Sequence, residues 1–207
     1  MIDKSILNKL QKKSEANANF LSSNPAFSGV RTIISDMYDE NAHFIYELIQ
    51  NSDDANAKKI YFILREDCFI LLHDGRDFTV SDPDTHEQDR INGTLGDLNS
   101  ILAIASSNKT FEGNKIGKFG CGFKSVFMYT DTPIILNKDL NIVLVNFVSF
   151  RECTREEIDL YLSYIPIDIQ SDYQTKIIIP FNKVDHNKCY EEVKNTLDSL
   201  RNCRKII

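Results

Sequence analysis

The 207-residue chain has no surplus of positive charge: 24 Lys and Arg stand against 30 Asp and Glu, for a formal net charge of −6. Sequence-independent binding to a phosphate backbone draws on concentrated Lys and Arg, so nucleic acid is not expected as a partner of this domain alone. The short basic clusters, Lys9 with Lys12 and Lys13, KIGKFG and RNCRKII, read as solvated faces. No apolar run approaches the roughly 18 residues that span a bilayer, and no signal-peptide pattern opens the chain. A cytoplasmic protein without a membrane partner is therefore expected. The cysteines at 68, 121, 153, 189 and 203 are odd in number, scattered and free of any C-x-x-C pair, which argues against a disulfide framework or a zinc site. His43, His73, His86 and His186 also lack metal-ligand spacing.

What is present suits one well-packed domain, since domains commonly run to roughly 100–200 residues. Residues 3–14 and 32–42 read as helical, joined by LSSNPAFSG as a turn or loop; residues 1–34 form an N-terminal helical extension. A helix over 43–56 leads into the strand runs KIYFILRE and CFILLHDG, a hairpin turning at Glu66 and Asp67. Residues 79–115 are polar and rich in Gly, Asn and Asp around the apolar LNSILAIA, the pattern of a long lid-like loop with a short helix. PIILN, NIVLVNFVSF and TKIIIPF read as strands, TREEIDLYLSYI as a short helix, and 186–201 as a final amphipathic helix. Without regular β-α-β alternation, these elements predict an α+β fold with helices layered on one face of a mixed, largely antiparallel sheet.

Two stretches carry chemistry. In FIYELIQNSDDANAKKIYF, at about 100° per residue, Phe44, Ile45, Leu48, Ile49 and Ala55 share one arc while Glu47, Asn51 and Asp54 share the adjacent edge. That edge is either a solvated face or a metal-and-water site. Asn offers the neutral oxygen that Mg²⁺ accepts beside waters and phosphates, and a carboxylate one turn earlier can orient and deprotonate a water. In IGKFGCGFKS, three glycines fall within the six positions 117–122. Such a loop frees backbone N–H groups to approach phosphate oxygens, with a helix start behind it. It is not a Walker loop, because Phe123 rather than Lys follows the last glycine, and its G-x-x-G-x-G order is not the dinucleotide fingerprint.

ELIQNSDDA, HDGRDF, IGKFGCGFKSVF and QTKIII stand in the order of the four nucleotide-binding motifs of the Bergerat-fold, or GHKL, superfamily. Within it the chain looks most like the sacsin-like, heat-shock-chaperone-like ATPase domains, through ELIQNSDDANAKKIYF and FGCGFKSVFMYTDTP, over roughly residues 35–181. The resemblance implies a two-layer α/β sandwich with ATP and Mg²⁺ held between helices and sheet under the 79–115 lid. It makes Glu47 the general base and Asn51 the Mg²⁺ ligand. Asp54 and Ala55 lie near the nucleotide; Gly117, Lys118, Phe119, Gly120, Cys121, Gly122 and Phe123 make the phosphate loop; Thr175 joins the adenine-binding water network. Apart from the resemblance, Lys109 in SSNKT is either a residue that reaches phosphate on closure or a solvated lysine. The second motif departs from D-x-G-x-G. Gly75 is in register, but His73 stands at the Asp position and Asp77 at the second glycine. Either Asp74 reaches adenine through a one-residue shift, or His73 or water reads the base. Asp74 is favoured, because an ionised carboxylate accepts from an exocyclic amine without needing a particular tautomer.

The function this implies is Mg-dependent ATP hydrolysis of chaperone-like type, slow in the isolated domain, with lid closure moving attached domains or protein partners, and with a nucleotide-dependent dimer as one form of partnership. The alternative is a nucleotide-gated interaction module that binds ATP or ADP with negligible hydrolysis.

Overall fold

The computed structural model describes residues 2–24, 42–103, 122–183 and 185–202. Helix α1 (Lys4–Ser23) opens on Asp3, whose carboxylate accepts the Ser5 N–H. It runs past residue 14 through the first part of the expected loop and stops at Asn24, the residue before Pro25, where the α conformation is disfavoured. Leu7, Leu10 and Ala18 are buried in the main core, so the helix is packed into the domain. Helix α2 (Phe44–Asp54) ends as Asn56 takes a left-handed conformation (φ 58°) and Ala57 donates back to the Ser52 carbonyl. The strands β1 (Ile60–Leu64) and β2 (Cys68–His73) form the expected hairpin.

Two short helices, α3 (His86–Asn92) and α4 (Asp97–Leu102), follow. After residue 121 comes a 3-10 helix, Phe123–Met128. Next are β3 (Ile134–Asn137), β4 (Leu140–Val145) and β5 (Ser149–Glu152). NIVLVNFVSF is thus two strands rather than one: Asn146 and Phe147 take φ of 52° and 67° and reverse the chain between β4 and β5. Helices α5 (Arg155–Ser163) and α6 (Ile167–Gln170) lead to β6 (Thr175–Pro180) and α7 (His186–Asn202).

The strands form one six-stranded sheet in the order β1-β2-β6-β3-β4-β5, antiparallel at every described pairing. Strand alternation sorts the side chains. Phe69, Leu71, Ile135, Ile142, Leu144, Ile177 and Ile179 face the main layer, packing with α1, α2, α4, the 3-10 helix and α7. Ile70, Leu72, Ile134, Leu136, Val143 and Ile178 face the other way. The α+β, two-layer sandwich expected from the sequence is the observed fold, and α5 and α6 add a smaller apolar cover on the second face through Ile158, Tyr161, Leu162 and Ile169. Among the described residues no helix is long and apolar enough to cross a membrane.

Residues 79–103 of the expected lid are tied down. Asp97 takes a bidentate Arg76 guanidinium and the Thr79 N–H and hydroxyl; Ser81 pairs with Asn99; Lys9 and Lys13 of α1 reach Asp82 and the Pro83 carbonyl. Residues 104–115 lie outside the described residues.

Candidate functional site

Helix α2 is anchored at its start. The Ala42 N–H donates to the Tyr129 hydroxyl (2.7 Å), which donates on to Glu192 (2.8 Å), while the Phe44 ring lies 4.9 Å from that of Tyr129. Burial, then the Glu192 carboxylate, pushes the Tyr129 phenol pKa up, keeping it a donor. From that anchor the helical repeat brings Glu47 and Asn51 to one edge, one turn apart.

Glu47 Oε1 lies 3.2 Å from His43 Nε2. The rest of the carboxylate covers Gly122: a Cβ added to that glycine would stand 2.5 Å from Glu47 Cδ and closer still to Oε2. Gly122 has φ −60° and ψ −45°, open to any residue. What a side chain here would disturb is therefore the position of the carboxylate, not the backbone. The end of the glycine loop and the acidic edge of α2, 75 positions apart in sequence, are brought into contact.

Asn51 is 7% exposed, and its Nδ2 is the buried side-chain polar atom left without a hydrogen-bond partner among the described residues. Such an orphaned group costs about 1–3 kcal/mol. A ligand oxygen that accepts from Nδ2, such as a phosphate's, would relieve it, while Oδ1 is the atom open to a cation. An amide oxygen beside a carboxylate fits Mg²⁺, and no group of three or more His, Cys, Asp or Glu able to hold a metal occurs among the described residues. A cation at Asn51 would thus take most of its ligands from phosphates and water, as Mg²⁺ commonly does.

At its other end α2 meets the sheet. A Cβ on Gly75 would stand 2.8 Å from the Ala55 carbonyl oxygen, and the Arg76 N–H donates to that oxygen at 2.8 Å. Ala55 is buried, whereas Asp54 is exposed, its pKa raised by partial burial and by Asp53 and opposed by Arg76. Beyond Gly75, His73 ends β2 opposite Thr175 of β6, which lies opposite Asn137 at the end of β3. All three side chains are buried on the helix-facing side of the sheet, where the same alternation elsewhere puts Leu71, Ile135 and Ile177. Asn137 Nδ2 donates to Thr175 Oγ1 (2.8 Å), and Asn137 Oδ1 accepts the Phe78 N–H (3.3 Å). His73 Nδ1 accepts the Gly75 N–H (3.1 Å). Burial, ahead of the neighbouring charges, lowers the His73 pKa to about 4, so the ring is neutral at pH 7.

Asp74, favoured as the reader of adenine, has one carboxylate oxygen engaged by the backbone. Asp74 Oδ1 accepts the backbone N–H groups of Lys58 (2.7 Å) and Lys59 (2.8 Å), capping the turn that enters β1, and these bonds, Lys59 foremost, hold its pKa below the usual carboxylate range. His73, at the Asp position of the ungapped register, lies beside Thr175. Of the phosphate-loop candidates, Gly122 and Phe123 are described, the latter buried in the core; Gly117, Lys118, Phe119, Gly120 and Cys121, like Lys109, lie outside the described residues. Lys124 is buried and donates to the Ile101 and Phe147 carbonyls, tying α4 to the β4–β5 turn. Sequence reading missed Asn137, whose only signal was a polar residue closing an apolar strand. It also missed His43 as the neighbour of Glu47, visible as an i, i+4 pair, and the Arg76–Asp97 pair.

A family model described as Sacsin domain matches residues 23–148. The chain is 32% identical to human sacsin over 124 residues, 56% of this chain and 3% of sacsin. It is 28% identical to Protein NO VEIN of Arabidopsis thaliana over 111 residues, 51% of this chain and 4% of that protein. It is 32% identical over 117 residues to the chaperone protein HtpG of Chlorobium phaeobacteroides, 48% of this chain and 19% of HtpG. The matches thus span from a few per cent to about a fifth of these relatives' own lengths.

Proposed function

This chain belongs to the sacsin-domain family, and from that premise we propose that it is a chaperone-like module that binds ATP with Mg²⁺ and hydrolyses it. The observation that carries the reading is the contact of Glu47 with Gly122, one helical turn from the orphaned Asn51 amide. In this reading the phosphates lie between the glycine loop and the acidic edge of α2. Glu47 orients a water and takes its proton, a role worth roughly 10²–10⁴-fold. His43 holds the carboxylate from behind. Asn51 supplies the protein oxygen to Mg²⁺, which when bound neutralises charge on the phosphates. The base lies toward Ala55, Gly75, His73 and Thr175, and Gly75 lets the strand end approach α2 closely enough to form that wall.

Similarity to the chaperone protein HtpG favours a chaperone-like role. On that basis the lid expected over 79–115 closes over the nucleotide, with 79–103 as its tied-down base, and closure passes to attached domains or to a protein partner, a dimer of this module included.

The test is calorimetric titration of the purified chain with Mg·ATP and with ADP in EDTA, for the wild type and Asn51→Ala. The reading expects wild-type binding of both, with the variant losing Mg·ATP affinity by tenfold or more and metal-free ADP affinity by much less. Equal loss of both ligands would remove the metal role from Asn51, and binding of neither to the wild type would end the nucleotide reading.

A further inference from the structure

The base end of the site is lined by hydrogen-bond donors where a carboxylate would have made it an acceptor. His73 uses Nδ1 to accept the Gly75 N–H at 3.1 Å. A neutral imidazole carries one proton, so with Nδ1 accepting, that proton sits on Nε2 and this nitrogen can only donate. Thr175, its cross-strand partner, has Oγ1 accepting from Asn137 Nδ2 at 2.8 Å. The Asn137 amide cannot reverse without losing the Phe78 N–H on its oxygen, so this direction is fixed and the threonine proton is left for another acceptor. Cβ atoms of directly opposed residues in an antiparallel pair stand about 5 Å apart. His73 and Thr175 therefore offer two donors side by side on the helix-facing surface of the sheet, both buried, with His73 beside the Gly75–Ala55 contact. Of the two carboxylates nearby in sequence, Asp74 is engaged by the Lys58 and Lys59 amides, and Asp77 Oδ1 lies 3.5 Å from Asn137 Nδ2.

Resting on the reading of this cleft as a nucleotide site, we propose that it recognises the purine through donors, His73 Nε2–H and Thr175 Oγ1–H, and so accepts a 6-oxopurine nucleotide at least as well as a 6-aminopurine one. An exocyclic amine opposite His73 would set donor against donor. Adenine can be held there only through a ring nitrogen or a bridging water, whereas a 6-oxo group accepts directly. The low His73 pKa keeps the ring in the single-donor state across the physiological range.

Inosine triphosphate differs from ATP at the 6-position and the adjoining ring nitrogen, which makes it the probe. Affinities of Mg·ITP and Mg·ATP are measured by calorimetry at pH 7.5 for the wild type, His73→Asp and His73→Gln. The wild type is expected to bind ITP at least as tightly as ATP. His73→Asp, which restores an ionised acceptor, is expected to favour ATP by about tenfold or more, the range of one charge-assisted hydrogen bond. A buried aspartate can cost folding; His73→Gln, whose amide presents either polarity, keeps the test open and is expected to bring the two affinities within about threefold. A wild type that prefers ATP tenfold over ITP overturns the proposal while leaving the nucleotide reading intact. A wild type that binds neither overturns the nucleotide reading itself, and this proposal with it.

Discussion

Gly122→Ala separates the site from the fold. The added methyl would stand 2.5 Å from Glu47 Cδ and closer to Oε2, well inside contact distance, so one of the two must move. The backbone has no reason to: φ −60° and ψ −45° suit alanine, which in helical conformation is favoured over glycine by roughly 0.5–1 kcal/mol. The clash falls on the far end of a flexible, partly exposed side chain, and the carboxylate swings away at little cost. Thermal stability should therefore change by less than about 1 kcal/mol, a few degrees at most for a domain of this size. Turnover should fall sharply, because displacing a catalytic group by about 1 Å costs on the order of 10²-fold. Phosphate release under saturating Mg·ATP, set beside a thermal melt, reads both quantities. Turnover within threefold of wild type would refute the placement of Glu47 as base. A melt lowered by ten degrees with proportional loss of activity would mean that the contact serves packing alone.

Asn51→Leu, similar in volume, removes the orphaned amide and should raise stability by about 1–3 kcal/mol in a urea melt while abolishing Mg·ATP binding; a loss of stability would mean the amide is satisfied in solution. For His73, the folded pKa of about 4 lies below the unfolded value near 6.5, so the unfolded chain binds the extra proton between them. This contribution to stability is complete above about pH 6.5 and is lost as the pH falls toward 4, up to roughly 3 kcal/mol at about 1.4 kcal/mol per pKa unit. Urea midpoints from pH 4 to 7 should slope upward in the wild type and flatten in His73→Gln; equal slopes would assign the effect elsewhere.

The apolar runs were legible because they alternate or continue in lengths that only strands suit, and α2 was legible because its arc and its polar edge repeat at helical period. The β4–β5 reversal was not, since Asn146 and Phe147 adopt positive φ without a glycine to mark it. The second half of α1 was missed because ANANFLSS has little apolar periodicity; its side chains are mostly exposed, and Ala18 alone in that stretch is buried. The second motif turns on register. Which of His73 and Asp74 faces the helices depends on strand parity, and chemistry alone favoured the better acceptor, Asp74, whose Oδ1 is seen only in the structure to cap the turn into β1. Asn137 was invisible for the same reason: its pairing with Thr175 exists only once β3 and β6 are aligned. Glu47 and Gly122 could each be nominated from motif chemistry, but their contact could not, because 75 positions of sequence separate them.

The most direct test of hydrolysis at this site is single-turnover phosphate release by Glu47→Gln, with Mg·ATP binding measured on the same preparation. The glutamine keeps the shape and loses the base. Binding within about threefold of wild type with release slowed by on the order of 10²–10⁴-fold is the expected result. Release at the wild-type rate by a variant that still binds would contradict the account.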